Sequence, residues 1–244
     1  MAWFNEDKRN VNFMLVGDDH SGVGLLHYCI SQHMNVICHS DLLHKNEAIR
    51  KRAHENYFGD CGQAFDWFIP TQISAEQYLA NKIFDNDLND EKAIGVAFNY
   101  AEIADYDLWY FIDQMSRIGD FFLIHVIRNP VASYVSKQLA NNSKQTVMLD
   151  ENKLIKFVRN HAAYVLKLND LCSDKAILSY AELVMDYQTV MTHLLKFMEI
   201  EQKVVVPKFS VIKPDIRSRI SNLTLLRTKL PSDVLEYLDS PTLF

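Results

Sequence analysis

VNFMLVG, residues 11–17, runs straight into DDHSGVG, residues 18–24, and the reading of this stretch decides the fold. The first seven residues are almost wholly apolar and stop at Gly17. Such a short run suits a central strand buried on both faces. The glycine-bearing loop Asp18–Gly24 follows, and then LLHYCISQHM, with Leu25, Leu26, Cys29 and Ile30 at helical spacing. In a strand–loop–helix unit, backbone amides and the helix N-terminus converge on one point that favours negative charge. The spacing Gly17-x-x-x-x-Gly22 matches the front half of an ATP-binding P-loop. The back half is missing. Val23 stands where a phosphate-binding Lys is needed, and Gly24 where a Mg-binding Ser or Thr is needed. A tight turn in a doubly wound fold would account for the same glycines without any ligand.

Outward from this unit, NVIC (35–38) reads as a second short strand, AIGVAF (93–98) as a third and FFLIHVI (121–127) as a second strongly buried one. Asn129-Pro130 reads as a helix start, because Asn caps and Pro is favoured at the first helical position. Helices are expected over about 105–118, over 151–171, over 182–198 and near 223–238, with a short strand at 176–179. Residues 40–90 read as irregular, with helical patches and an aromatic cluster of Tyr57, Phe58, Phe65, Trp67 and Phe68. The cluster reads as core, or as a stacking surface if it lines a pocket. Strands alternating with helices predict an α/β fold with a central parallel sheet covered by helices on both faces.

The 244 residues suffice for one α/β domain. Hydrophobic residues at 48% and charged residues at 23% exclude wholesale disorder. No apolar run approaches ~18 residues, so no membrane span is expected. The start, MAWFNEDKRN, lacks the apolar core of a secretory signal. The net charge of −6 gives no overall attraction for nucleic acid or an anionic membrane. A local basic pocket for a small anion remains compatible with it. Cys29, Cys38, Cys61 and Cys172 contain no CxxC pair and read as reduced thiols in a cytoplasmic protein. The histidines at 20, 27, 33, 39, 44 and 54 form no metal-ligand spacing, and no metal is expected.

Arg128 falls at the carboxyl end of a strand, where open α/β sheets bind ligands, and its planar fork suits phosphate. Ser133 and Ser136 follow it on a helix, and spacing alone does not choose between them. At this point the chain resembles the PAPS-dependent sulfotransferases, in particular the compact bacterial type that sulfates carbohydrates. Four blocks in order carry the resemblance. VNFMLVGDDHSGVGLLHYCISQHMNVICHSDLL is similar to the family's 5′-phosphosulfate loop with its helix and strand. LIHVIRNPVASYVSKQLA is similar to its 3′-phosphate element, which selects Arg128 and Ser136. ILSYAELVMDYQTVMTHLLKFMEI is similar to its Tyr-x-Asp/Glu-Leu segment, which points to Tyr180. VIKPDIRSRISNLTLLRTKL is similar to its C-terminal basic segment, with Lys213, Arg217 and Arg219.

The resemblance implies a single P-loop-type domain over residues 1–244, with residues 42–92 as an insertion on the acceptor side. It implies transfer of a sulfuryl group from PAPS (3′-phosphoadenylyl sulfate) to a hydroxyl of a carbohydrate or other small molecule. Ser21, Gly22, Val23 and Gly24 would hold the 5′ end of the donor. The loop departs from the family's Pro-Lys/Arg-Ser-Gly-Thr-Thr: His20 replaces the cation, and Val23 and Gly24 replace the threonines. His20 is then the expected stabiliser of the leaving oxygen. Asp41 is the expected base, with His39 and His44 as runners-up, although an Asp in this position also suits a helix cap. The altered loop favours, as the alternative, a non-catalytic nucleotide-binding relative. A P-loop phosphotransferase is the third reading, and Val23 argues against it.

Overall fold

A computed structural model describes residues 11–58, 68–85, 93–117, 121–142, 145–171, 175–200 and 216–240. Among the described residues, five strands form one sheet: β1 (Val11–Gly17), β2 (Val36–Ser40), β3 (Ala93–Asn99), β4 (Phe121–Ile127) and β5 (Lys175–Ser179). They lie in the order β2-β3-β1-β4-β5, and every pairing is parallel. The expected α/β architecture with a parallel central sheet is therefore observed.

Period-two alternation assigns the strand side chains to two layers. Met14 and Val16 of β1, Ile94, Val96 and Phe98 of β3 and Leu123 of β4 join one core. Phe13 and Leu15, Ala93 and Ala97, and Ile124 and Val126 join the other. The second layer is closed by α1 (Val23–Ile30) and by later helices α8 (Tyr180–Met185) and α9 (Tyr187–Phe197). The first is covered by α2 (Glu47–Phe58), α3 (Ala75–Tyr78, continuing as a π-helical turn Leu79–Phe84), α4 (Tyr100–Asp105) and α5 (Trp109–Ser116). A third cluster joins α6 (Pro130–Asn142), α7 (Glu151–Leu171), α10 (Leu223–Lys229) and α11 (Ser232–Asp239). No described helix is long and apolar enough to cross a membrane.

Local rules explain most boundaries. The Asn129 side chain accepts from the amides of Val131 and Ala132, as expected for a capped Asn-Pro start. Two expected helices are instead broken in two, and the one expected over about 105–118 starts only at Trp109, after a separate α4. Asp107 takes a left-handed conformation at φ 50° and separates α4 from α5. Asp186 leaves helical geometry at φ −140° and its carboxylate caps α9. Pro231 follows the extended Leu230 and separates α10 from α11. Of the aromatic cluster, Phe68 is core, edge-on to Tyr106 and tilted against Tyr78. Phe65 and Trp67, like Cys61 and Cys172, lie outside the described residues. Cys29 and Cys38 are buried thiols.

Gly95 sits in β3 directly beneath the ring of Phe13, which fills the space a Cβ would need. Gly95→Ala is expected to cost about 1–3 kcal/mol by overpacking. Gly24→Ala, where an added Cβ meets nothing within 4 Å, is expected to be neutral or slightly stabilising. Urea midpoints at unchanged slope are the measurement.

Candidate functional site

The sheet order places β1 and β4 side by side, with Gly17 opposite Val126. The chain leaves β1 toward β2 and β3, and leaves β4 toward β5. This is a topological switch point, and a crevice opens at the carboxyl ends of the two strands. Gly17 makes the exit possible, because a Cβ there would stand 2.6 Å from the Val126 carbonyl oxygen and 2.5 Å from Ser21 Oγ. The loop closes with the Ser21 amide donating to the Asp18 carbonyl at 3.0 Å. Gly22, at φ 107°, then starts α1. Glycine is needed there twice over, since a Cβ would also meet the Tyr180 ring at 2.5 Å. The first-turn amides of α1 have no acceptor within the helix.

A cleft of about 790 Å³ lies over this point. His20, Gly22, Val23 and Gly24 from the loop, Asp41 from beyond β2, Arg128 and Ser136 from β4 and α6, and Tyr180 from α8 all line it. Eight residues singled out in the sequence thus meet in one place. Arg128 Nη1 donates to the His20 carbonyl at 2.9 Å. Its guanidinium carbon lies 4.2 Å from the centre of the Tyr180 ring, at cation–π distance. Tyr180 is therefore wedged between Arg128 and Gly22.

The remaining expected residues sit elsewhere. Ser21 is fully buried, and its hydroxyl has no hydrogen-bond partner among the described residues. It serves the loop through its backbone. Ser133, also fully buried, does not line the cleft, so the structure distinguishes it from Ser136. Arg217 donates to the carbonyls of Leu238 and Ser240, tying the end of α11. Arg219 donates to the Gln145 carbonyl at 3.1 Å. Neither lines the cleft, although their neighbour Ile216 does. Lys213 lies outside the described residues.

Asp41 is exposed and left-handed at φ 60°. It caps no helix. Asn46 does that for α2, accepting from the Ala48 amide at 3.0 Å. His39 is buried, and burial lowers its pKa to about 3, so it stays neutral. His44 lines a side pocket of about 380 Å³ that shares Asp18, Asp19, Asn99 and Glu102 with the main cleft.

Glu102 was not singled out in the sequence. It is the third helical residue of α4, in a capping box with Asn99, and its Oε2 accepts the Asn99 amide at 3.0 Å. The motif is readable from Asn-x-x-Glu, but its position facing both cavities is not. Glu102 is only 7% exposed. Burial raises its pKa to about 7, and the carboxylates of Asp41, Asp19 and Asp105 push the same way, against the Asn99 amide. Asp18 and Asp19 also line both cavities, but each is held by a helix. His161 Nδ1 on α7 donates to Asp18 Oδ2 at 2.9 Å, and Lys137 Nζ on α6 lies 2.7 Å from Asp19 Oδ2.

With this geometry in hand, comparison identifies the fold. The sulfotransferase domain of the Synechococcus PCC 7002 olefin synthase is similar at a TM-score of 0.58 and 14% identity, over 96% of this chain and 95% of that one. A sulfotransferase from Alicyclobacillus acidocaldarius aligns at 0.47 and 19% identity, over 93% and 94%. Mouse sulfotransferase SULT7A1 in complex with PAP aligns at 0.45 and 14% identity, over 97% and 82%. The fold assignment rests on the first of these: the chain has the sulfotransferase fold. No family model and no curated protein matches the sequence.

The raised pKa of Glu102 makes a pH prediction. Between about 4.5 and 7 the folded protein keeps a proton that the unfolded chain has released, so stability falls as pH rises through that window. Glu102→Gln retains an acceptor for the Asn99 amide and removes the charge. The loss of urea-measured stability between about pH 5 and pH 8 is expected to shrink by about 1–3 kcal/mol in this variant.

Proposed function

We propose that the chain is a sulfotransferase that moves a sulfuryl group from PAPS to a hydroxyl of a carbohydrate or other small molecule. The observation that carries this reading is the shared cleft. An amide-lined loop and an Arg/Ser pair, built on different strands, face one cavity and are joined by the Arg128–His20 bond. A donor with a 3′-phosphate at one end and a 5′-phosphosulfate at the other needs two such cradles, separated but facing one another. Gly22, Val23 and Gly24 with the start of α1 would receive the 5′ end, with Ser21 shaping the loop from below. Arg128 and Ser136 would receive the 3′-phosphate, with Tyr180 bracing the arginine. His20 would face the leaving oxygen. Lys213, on the approach to Ile216, would close over the nucleotide.

The acceptor hydroxyl would attack sulfur in line with the leaving phosphate oxygen. Its proton would pass to the carboxylate pair Asp41 and Glu102. Asp41 is the accessible member, and Glu102, titrating near neutrality, is the one tuned for proton exchange. Residues 42–92 would flank the acceptor. In support, His44 and Lys45 line the side pocket, and α2 borders a small hollow beside Asp41. Rate enhancement would come from positioning and charge stabilisation.

A second reading is favoured by one specific observation. Asp18, Asp19, Asp41 and Glu102 all line the cleft, and the loop has no Lys or Arg. A non-catalytic nucleotide-binding relative would fit that balance. PAPS binding with no sulfate released to any acceptor would decide for it. Turnover of ATP with Mg would instead revive a phosphotransferase.

Calorimetric titration with PAP, the desulfated product nucleotide, tests the cradle assignment. The wild type is expected to bind it, and an Arg128→Ala, Ser136→Ala double variant to bind about 100-fold more weakly, given ~1.5–3 kcal/mol for a charged hydrogen bond. Full affinity in the double variant rejects the assignment.

A further inference from the structure

Sulfuryl transfer places negative charge on the oxygen that leaves, and a cation fixed near that oxygen lowers the barrier. The loop from Asp18 to Gly24 offers only His20 as a basic side chain. Two acidic residues precede it. If the reading above holds, a fixed cation must come from another element.

Among the described residues, three lysine or arginine side chains line the main cleft and its side pocket: Arg128, Lys45 and Lys137. Arg128 is bound to the His20 carbonyl and lies against Tyr180, at the end assigned to the 3′-phosphate. Lys45 is 69% exposed and is held by Asp105 Oδ2 at 2.7 Å, and neither of that pair lines the main cleft. Lys137 is different. It follows Ser136 on α6, so adjacent residues of one helix face adjacent cavities. Its ammonium stands 2.7 Å from the carboxylate of Asp19, the residue immediately before His20. It is 37% exposed, so its stem can move.

We infer that Lys137 is the cation this loop does not itself carry, delivered from α6 to the sulfuryl end of the donor. This rests on the sulfotransfer reading and deepens it. Asp19 then has a purpose that its charge alone would contradict. In the unliganded protein it parks the ammonium beside the loop and is itself neutralised by it. When the phosphosulfate enters, Lys137 turns a few Å from Asp19 toward the leaving oxygen, within reach of its four-carbon stem. The step balances without a further reactant. The acceptor oxygen forms a bond to sulfur, and the bond from sulfur to the 5′-phosphate oxygen breaks. That oxygen keeps the electron pair under the ammonium, and the acceptor's proton goes to the carboxylate pair. Water serves as acceptor in the same scheme, giving PAP and sulfate.

PAPS hydrolysis therefore provides a test that needs no knowledge of the natural acceptor. Wild type, Lys137→Met and Lys137→Arg are compared by PAP calorimetry, by thermal melting and by release of sulfate from PAPS under single-turnover conditions. Lys137→Met is expected to melt as the wild type does and to bind PAP about 10-fold more weakly, since PAP keeps the 5′-phosphate oxygen that the ammonium faces. Its hydrolysis rate is expected to fall ~10²–10³-fold, and Lys137→Arg to recover most of it. Unchanged hydrolysis in Lys137→Met, with PAP still bound, overturns the role of Lys137 and leaves the sulfotransfer reading standing. PAP binding by a wild type that releases no sulfate overturns it too and favours the non-catalytic reading. No PAP binding by the wild type removes both.

Discussion

The hydrogen bond from Arg128 to the His20 carbonyl is the contact on which the site depends. It spans the switch point directly, from the end of β4 to the loop after β1. Its geometry is set below it, by β1 and β4 pairing in register up to Gly17 and Val126. Gly17 has no room for a side chain there, Gly22 none under Tyr180, and Tyr180 in turn supports the guanidinium. The loop, the arginine and the ring form one packed unit. Burial pulls the Arg128 pKa below its ordinary value, with Tyr180 partly offsetting the effect. A guanidinium remains charged under such a shift. It is therefore a desolvated cation with its direction already fixed, the state in which a phosphate gains most from meeting it.

The carboxylates of the same region look at first like an obstacle to an anionic donor. Their contacts change that view. Asp18 is drawn to α7 by His161 and Asp19 to α6 by Lys137, so each acid pins the loop to a helix behind it. The first pin continues inward: the His161 ring meets Tyr100 edge-on, and the Tyr100 hydroxyl hydrogen-bonds His125 in β4. His125 is fully buried, and that burial, with Lys175 pushing the same way, lowers its pKa to about 4. A neutral His125 is thus the inner end of two hydrogen bonds joined by a ring contact, whose outer end is the first residue of the loop. Such an arrangement gives the loop one position rather than several.

The elements visible in the sequence are those whose cause is local. β1 and β4 show as unbroken apolar runs because both faces of each are covered. The Asn129–Pro130 start shows because capping needs only adjacent residues. The candidate residues after β1 and β4 were readable because strand ends in a parallel sheet have one functional side. What failed to show depends on neighbours distant in the chain. Apolar periodicity continues through Asp107 and Asp186, so it gives no sign that the backbone breaks there. Arg217 looks like a ligand residue by family resemblance, yet it caps a helix that begins 15 positions later. Glu102 carries a readable capping motif, but only the packing of α4 against β3 turns it into a buried acid with a pKa near 7. Lys137 was not singled out in the sequence, and only α6 and the loop seen together give it a place.

These cases separate two properties that phosphate-binding loops usually combine. One is shape: a glycine exit from a strand, an inward turn and a helix start with unused amides. The other is charge: a basic side chain within the loop. Here the shape is complete, and steric limits at Gly17 and Gly22 enforce it. The loop's charge has the opposite sign, and the cations stand on the surrounding elements, Arg128 after β4 and Lys137 on α6. A lysine in the loop moves with the loop, whereas one on a long helix is held by that helix's own packing. The fold can therefore lose a loop cation without losing the cradle. In the proposed arrangement the cation off the loop must be aimed by a partner, and Asp19, 2.7 Å from the Lys137 ammonium, is placed to aim it.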